Sequence, residues 1–232
     1  SGNIGAFTAT NAGSTPVVAT ITVTPVAATC TGAPQSFTIT VNPTASVVDP
    51  SDQVVCNGAS TTAVTFSGTA TSFNWTNDTP SIGLAASGSG NIGAFPATNA
   101  GVVPVVATVT VTPVYLFGAV TCTGTAQTFT ITVQPTPTVA VVGNQVVCNG
   151  ASTTAITFSG AVGGTTFNWT NTNTSIGLAA SGSGNIAAFA GVNTGSTAVT
   201  STITVTPVFN GCAGSTTNFT ITVNPTASVV DP

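Results

Sequence analysis

Polar and apolar residues alternate with period two along much of this chain. Thr20-Ile21-Thr22-Val23-Thr24, Phe37-Thr38-Ile39-Thr40-Val41, the run from Ala107 to Thr112 and Phe129-Thr130-Ile131-Thr132-Val133 all read as strands that bury one face. Ala63-Val64-Thr65-Phe66 sets Val64 and Phe66 on one side, and Ser72 to Thr76 sets Phe73 and Trp75 inward with Asn74 outward between them. A weaker segment around Ile82 and Leu84 leads into Ser87-Gly88-Ser89-Gly90-Asn91, a turn by composition. With a further strand at Val54-Val55, about seven short strands fall in each repeat of the pattern, and no stretch has a helical period.

The pattern recurs. The words Cys-Asn-Gly-Ala-Ser, Phe-Asn-Trp-Thr, a glycine-serine tract, Cys-x-Gly and Phe-Thr-Ile-Thr-Val run once from Cys56 to Val133 and again from Cys148 to Val223. The offsets are 92 residues from Cys56 to Cys148, 94 from Trp75 to Trp169 and 90 from Cys122 to Cys212. A period of that length suits a small domain with its own core rather than a solenoid turn. The strand count then predicts an all-β fold of tandem immunoglobulin-like sandwiches of about 90 residues forming an extended rod.

The expected division is residues 1–41 as the C-terminal half of a repeat, 42–53 as a connector and 54–133 as a complete repeat. A second connector follows at 134–145, a second complete repeat at 146–223 and the start of another connector at 224–232. Pro43 and Pro50 stiffen the first connector, Pro135 and Pro137 the second. Residues 224–232 repeat Asn42 to Pro50 residue for residue, so the chain is expected to belong to a longer array. The expected core aromatics are Phe66, Phe73, Trp75 and Phe129 in the first complete repeat, with Phe158, Phe167, Trp169 and Phe219 in the second.

Composition narrows function. Among 232 residues there is no Lys, Arg or His, and the acids are Asp49, Asp52, Asp78 and Asp231. General acid–base catalysis and nucleophile activation draw on those missing residues, so no enzyme, catalytic residue or cofactor is expected. A nucleic-acid partner would need cationic contacts to phosphate. The apolar runs are too short for a spanning helix, so no membrane insertion is expected in this segment. A hydrophobic content of 42% argues against disorder. A chain without Lys or Arg offers trypsin no site, which fits life outside the cell.

The five cysteines allow two periodic pairings. Within a repeat, Cys56 would join Cys122 and Cys148 would join Cys212, leaving the partner of Cys30 outside the fragment. Across connectors, Cys30 would join Cys56 and Cys122 would join Cys148. The within-repeat pairing is expected, because the closing strand carries the chain roughly 40 Å from Cys122 before Cys148 arrives, at about 3.3 Å per residue. Such bridges imply an oxidising compartment; buried free thiols are the alternative. Without histidine or a Cys-x-x-Cys spacing, no metal site is expected of them.

Other signals have plain readings. Asp49 and Asp52 could hold calcium in a connector, but Val141 and Asn144 replace them in the next. Thr108, Thr110 and Thr112 could form an ice-binding ladder, though threonine on the solvent face of a strand is commoner. Trp75 and Trp169 could stack sugars, yet each alternates in phase with a phenylalanine and so reads as core. Asn74-Trp75-Thr76, Asn168-Trp169-Thr170 and Asn218-Phe219-Thr220 match glycosylation sequons in a chain rich in both residue types.

Taken together, Cys-Asn-Gly, the Phe-x-Trp-Thr strand, the Ser-Gly middle, Thr-x-Thr-x-Thr-Pro, Cys-x-Gly and Phe-Thr-Ile-Thr-Val-x-Pro resemble the PKD-like repeats of giant cell-surface proteins in Bacteroidota. They are most similar to the repeat region of the surface adhesins that carry gliding Flavobacterium-type cells. The resemblance covers the whole chain. It implies type IX secretion, outer-membrane attachment and a non-catalytic part in a long adhesive filament serving gliding motility. The partners it implies are neighbouring repeats and an external surface or polysaccharide reached through other regions. A self-assembling sheath, or a stalk presenting carbohydrate-binding or enzymatic modules, are the alternatives.

Overall fold

The computed structural model describes residues 2–228. Ser1 and the part of 224–232 beyond residue 228, including Asp231, lie outside the described residues. The strands are β1 (Val17–Val23), β2 (Val26–Ala27), β3 (Cys30–Thr31) and β4 (Gln35–Val41) in the leading segment. The first complete repeat holds β5 (Gln53–Cys56), β6 (Ser72–Asn77), β7 (Ser87–Ser89), β8 (Val105–Phe117), β9 (Val120–Thr123) and β10 (Gln127–Gln134). The second holds β11 (Gln145–Cys148), β12 (Thr166–Asn171), β13 (Ser181–Ser183), β14 (Val199–Phe209), β15 (Cys212–Ala213) and β16 (Thr217–Asn224).

The chain forms two compact units. One comprises Ser1–Gln53, Ser60–Pro96 and Val106–Ile131; the other comprises Val54–Ala59, Ala97–Val105 and Thr132–Pro232. The boundaries fall within β5, β8 and β10, so the second unit holds part of the first repeat together with the whole of the second.

In the second unit the sheet order is β11-β16-β14-β12-β13, with β15 paired to β14. β12, β14 and β16 run antiparallel, while β11 lies parallel to β16 with Gln145 opposite Ile221 and Cys148 opposite Asn224. This is the sheet of an immunoglobulin-like sandwich, an antiparallel meander flanked by a parallel first strand. Its inner face presents Trp169, Ile203, Val205, Phe219, Ile221 and Val223, which pack on Ile156, Phe158, Ile176, Leu178 and Ile186 of the opposing layer. That second layer is thin. It is built from the single-turn 3-10 helix Thr174–Ile176 and the isolated bridges Ser152↔Ala190 and Ile156↔Ile186. The alternation read in the sequence therefore maps onto one real sheet, and the apolar residues between its strands form the cover.

In the first unit, β6 pairs with β7 and β8, and β8 with β9, in matching register. Val109, Val111, Phe129 and Ile131 are buried there, as are Phe66, Trp75, Ile82, Leu84 and Ile92. Ile82 sits on a 3-10 turn, Pro80–Ile82, rather than on a strand. The leading hairpin joins β1 to β4, with Ile21 opposite Phe37.

The stretches read as connectors lie along the sandwiches. Ala45 and Val47 are buried, and the Val48 N–H donates to the Ser67 carbonyl at 2.8 Å. Correspondingly, the Ala140 N–H donates to Ser159 O at 2.7 Å, and Val139 and Val142 pack against the second core. Their prolines lack the N–H that a ladder needs, so these segments dock by occasional bonds and side-chain burial. Among the described residues no helix is long and apolar enough to cross a membrane.

Candidate functional site

The cysteines pair differently from the expectation. Cys56 is bonded to Cys212, with a Cα–Cα distance of 5.5 Å, while Cys30, Cys122 and Cys148 are free thiols. Neither Cys56 with Cys122 nor Cys148 with Cys212 is formed. Strand direction explains the correction. Cys148 ends a strand parallel to β16 and lies opposite Asn224, whereas Cys212 precedes β16, which starts at Thr217. The seven residues from Thr217 to Asn224 advance about 23 Å at 3.3 Å per residue, far beyond the about 4.4 to 6.8 Å a disulfide spans. The two cysteines of one repeat therefore sit at opposite ends of their sandwich. The bond that forms joins the first strand of one repeat to the hairpin of the next.

Its surroundings are built from the Cys-Asn-Gly motif. Asn57 donates its N–H to Gln134 O at 2.9 Å and its side-chain amide to Thr136 Oγ1 at 2.9 Å, and its Oδ1 accepts the Asn99 N–H at 2.8 Å. Gly58, at φ +81°, turns the chain so that its own N–H reaches Ala97 O at 2.7 Å. On the other side Asn210 and Gly211 both have positive φ, 44° and 81°, which closes a two-residue hairpin and puts Cys212 opposite Phe209. Asn210 Nδ2 then donates to Gln134 Oε1 at 3.2 Å. Gln134, itself buried, thus links the hairpin to the Asn57 side of the bridge within the second unit.

The sequence reading missed a set of buried asparagines. Asn99 Nδ2 donates to Val103 O and Val133 O, both at 2.8 Å, and its Oδ1 accepts the Gly101 N–H. Asn193 makes the same bonds to Thr197 O, Val223 O and Gly195 N. Asn77 and Asn171 likewise donate to Leu84 O and Leu178 O. A polar residue repeated at one place in each copy, next to apolar strands, was the available signal.

The other candidates fall into place. Phe66, Trp75, Phe129, Phe158, Trp169 and Phe219 are buried, while Phe73 and Phe167 are half-buried and pack at a tilt against Phe66 and Phe158 with centroids 5.6 and 5.7 Å apart. The sugar-stacking reading of the tryptophans is overturned. Trp75 and Trp169 are only 8% and 7% exposed, and their indole N–H groups donate to Gly90 O and Gly184 O at 3.2 Å. The tract expected to turn at Ser87–Asn91 instead supplies strand β7, because its glycine lies flat over the Trp75 ring. Among the described residues no three His, Cys, Asp or Glu side chains gather in one place.

Asp52 has a structural task. Its Oδ1 accepts the Thr130 N–H at 2.6 Å, and Asn144 Oδ1 accepts the equivalent Thr220 N–H at 2.8 Å in the next repeat. The bond from the Thr130 backbone holds the Asp52 carboxyl below its ordinary value. A carboxyl depressed by folding contributes stability above its unfolded pKa of about 4 and loses it as pH falls through the folded value. Acid should therefore release Thr130 and leave Thr220 held, since Asn144 does not titrate. Amide exchange measured by NMR at pH 5 and at about pH 2.5 should show the protection of Thr130 falling relative to Thr220. Asp52→Asn should remove that difference. Parallel behaviour of the two amides in the unmodified chain would contradict the assignment.

No family model matches the chain, and no curated protein matches it. Several solved structures are similar. The N-terminal Ig1-2 module of the Drosophila receptor protein tyrosine phosphatase DLAR is 13% identical, covers 78% of this chain and 99% of its own, and has a TM-score of 0.27. Protocadherin Gamma B2 extracellular cadherin domains 3-6 are 12% identical over 92% of this chain and 59% of theirs, with a TM-score of 0.35. Sidekick-1 immunoglobulin domains 1-5 are 12% identical over 91% of this chain and 55% of theirs, at 0.26. The immunoglobulin-like sandwich itself follows from this chain's strand order and core.

Proposed function

We propose that this chain is a non-catalytic structural repeat region of a long extracellular filament or adhesin, built from the repeats 54–133 and 146–223. The observation that carries this reading is the Cys56–Cys212 bond, which fastens one repeat to its successor and so serves continuity along the chain. A disulfide of this kind belongs to an oxidising exterior. The absence of Lys, Arg and His leaves the Ser and Thr hydroxyls without a base. The resemblance to PKD-like repeats of Bacteroidota adhesins supports attachment at the outer membrane after type IX secretion, and a part in surface adhesion during gliding.

The test is to label living cells that make the protein with an antibody to one recombinant repeat and to film the label. Label travelling along the cell surface is the expected result. Label fixed in a coat, or shed into the medium, would overturn the motility role and move the function to a self-assembling sheath or a secreted stalk.

A further inference from the structure

The bridge seen once in this chain has unpaired halves elsewhere in it. Cys148 stands to the second repeat as Cys56 stands to the first. Each ends a Gln-Val-Val-Cys strand, and each carbonyl accepts the N–H of an alanine three residues on, Ala59 or Ala151, at 3.0 Å. Each is followed by an asparagine whose N–H reaches the end of the closing strand, Asn57 to Gln134 O at 2.9 Å and Asn149 to Asn224 O at 2.8 Å. Both asparagine amides donate to a threonine hydroxyl two residues further on, Thr136 at 2.9 Å and Thr226 at 3.0 Å. The Cys56 sulfur is bonded to Cys212, whereas Cys148 is an exposed thiol.

The hairpin half is repeated as well. Cys30, Cys122 and Cys212 each lie two residues before a glycine whose N–H donates to a proline carbonyl at the hairpin base. The pairs are Gly32 to Pro25 at 2.8 Å, Gly124 to Pro113 at 3.0 Å and Gly214 to Pro207 at 2.9 Å. Each cysteine faces the residue two after that proline, namely Ala27, Tyr115 or Phe209. In both complete repeats the glycine also presses on the segment leading in. A Cβ at Gly124 would fall 1.8 Å from Ala45 O, and one at Gly214 would fall 1.8 Å from Pro137 O. The glycine, the proline carbonyl and the facing position that frame Cys212 are therefore repeated around Cys122, on a hairpin that turns further out, past the pair Phe117↔Val120.

We propose that Cys148 anchors a second staple, to the hairpin cysteine of a further repeat following the second, and that Cys30 and Cys122 are the hairpin halves of the same bond to preceding repeats. The disulfide pattern of the array is then one strand cysteine to the next repeat's hairpin cysteine, throughout. In each bond two thiols lose two protons and two electrons, and a small-molecule disulfide such as oxidised glutathione takes them up to become two thiols. Because each loop opens in one repeat and closes in the next, successive loops overlap, as the Cys56–Cys212 loop would overlap one beginning at Cys148. This deepens the filament reading, on which it rests only for the oxidising surroundings. Its test uses purified protein, so its failure leaves that reading standing, and a failure of the cell-labelling test leaves this one standing.

The test extends the full chain by a second copy of residues 51–133 placed after residue 232, where residues 224–232 repeat 42–50 and so supply the natural lead-in. After oxidation with glutathione, thiols are capped with a maleimide and the monomeric protein is digested with pepsin, since it has no trypsin site. The expected result is complete loss of maleimide on Cys148, with its peptide bonded to that of the appended copy's hairpin cysteine, the counterpart of Cys122. Cys148→Ser should leave that hairpin cysteine fully labelled and the Cys56–Cys212 peptide unchanged. A digest holding the Cys56–Cys212 bond, and hence a folded protein, in which Cys148 is still labelled would overturn the proposal. So would a bond between the two cysteines of the appended copy itself.

Discussion

Gly182→Ala should destabilise the second unit by about 3 kcal/mol, the upper end of the usual cost of overpacking a core. A Cβ at this position would lie 2.2 Å from Cζ2, 2.6 Å from Cε2 and 2.9 Å from Cη2 of Trp169. The far end of a flexible side chain could swing away from such a contact. The indole cannot, because it is buried and its N–H is bonded to Gly184 O at 3.2 Å, two residues along the chain from the new methyl. Relief must come from β13, whose ladder to β12 is only the pairs Asn168↔Ser183, Trp169↔Gly182 and Thr170↔Ser181. The strand would peel away and expose the ring it covers. Urea denaturation of the variant against the parent measures the loss. In a Trp169→Leu background the same glycine change should cost under about 1 kcal/mol, since contacting residues couple and the ring is then gone. An equal cost in both backgrounds would show that the methyl meets something other than Trp169.

That glycine marks where the sequence stops being readable. The period-two runs gave the correct inward faces for Ala107, Val109 and Val111 and for Phe129, Ile131 and Val133, all buried, because alternation is a local property of a half-buried strand. The all-β immunoglobulin-like fold follows from the same signal. Ser87-Gly88-Ser89 carries no such signal: its composition says turn, and only the tryptophan across the sheet, thirteen residues earlier, explains why a strand there must lack a side chain. The asparagines were hidden in the same way. Asn99 answers a carbonyl on β10 that sequence spacing does not place beside it. The cysteine pairing is the least legible feature. Pairing within a repeat or across one connector joins cysteines less than one period apart, whereas the bond has a sequence separation of 156. What decides it is the parallel direction of β11 against β16, which carries Cys148 away from the hairpin of its own repeat, and strand direction leaves no mark in composition.

Pulling the chain from its two ends should show the consequence of that pairing. In the oxidised protein, the stretch between Cys56 and Cys212, a separation of 156 residues, lies behind the bond and cannot extend. Cys56→Ser should return all of it, adding on the order of 500 Å to the unfolded contour at about 3.3 to 3.6 Å per residue. Were the bonds within repeats, the same substitution would free only the loop from Cys56 to Cys122, about 200 Å, and the loop from Cys148 to Cys212 would stay closed. The two gains are readily separated by single-molecule extension. At equilibrium, loop entropy for a closure of this length reaches about 5 kcal/mol, with measured bridges commonly giving about 2 to 4, so Cys56→Ser should also lower the denaturation midpoint substantially. Cys122→Ser, which removes a thiol with no partner in this chain, should change neither the length nor the midpoint. Load that enters the first repeat through β5 therefore reaches the β14–β15 hairpin through a covalent bond, and the strands between the two sulfurs are spared it.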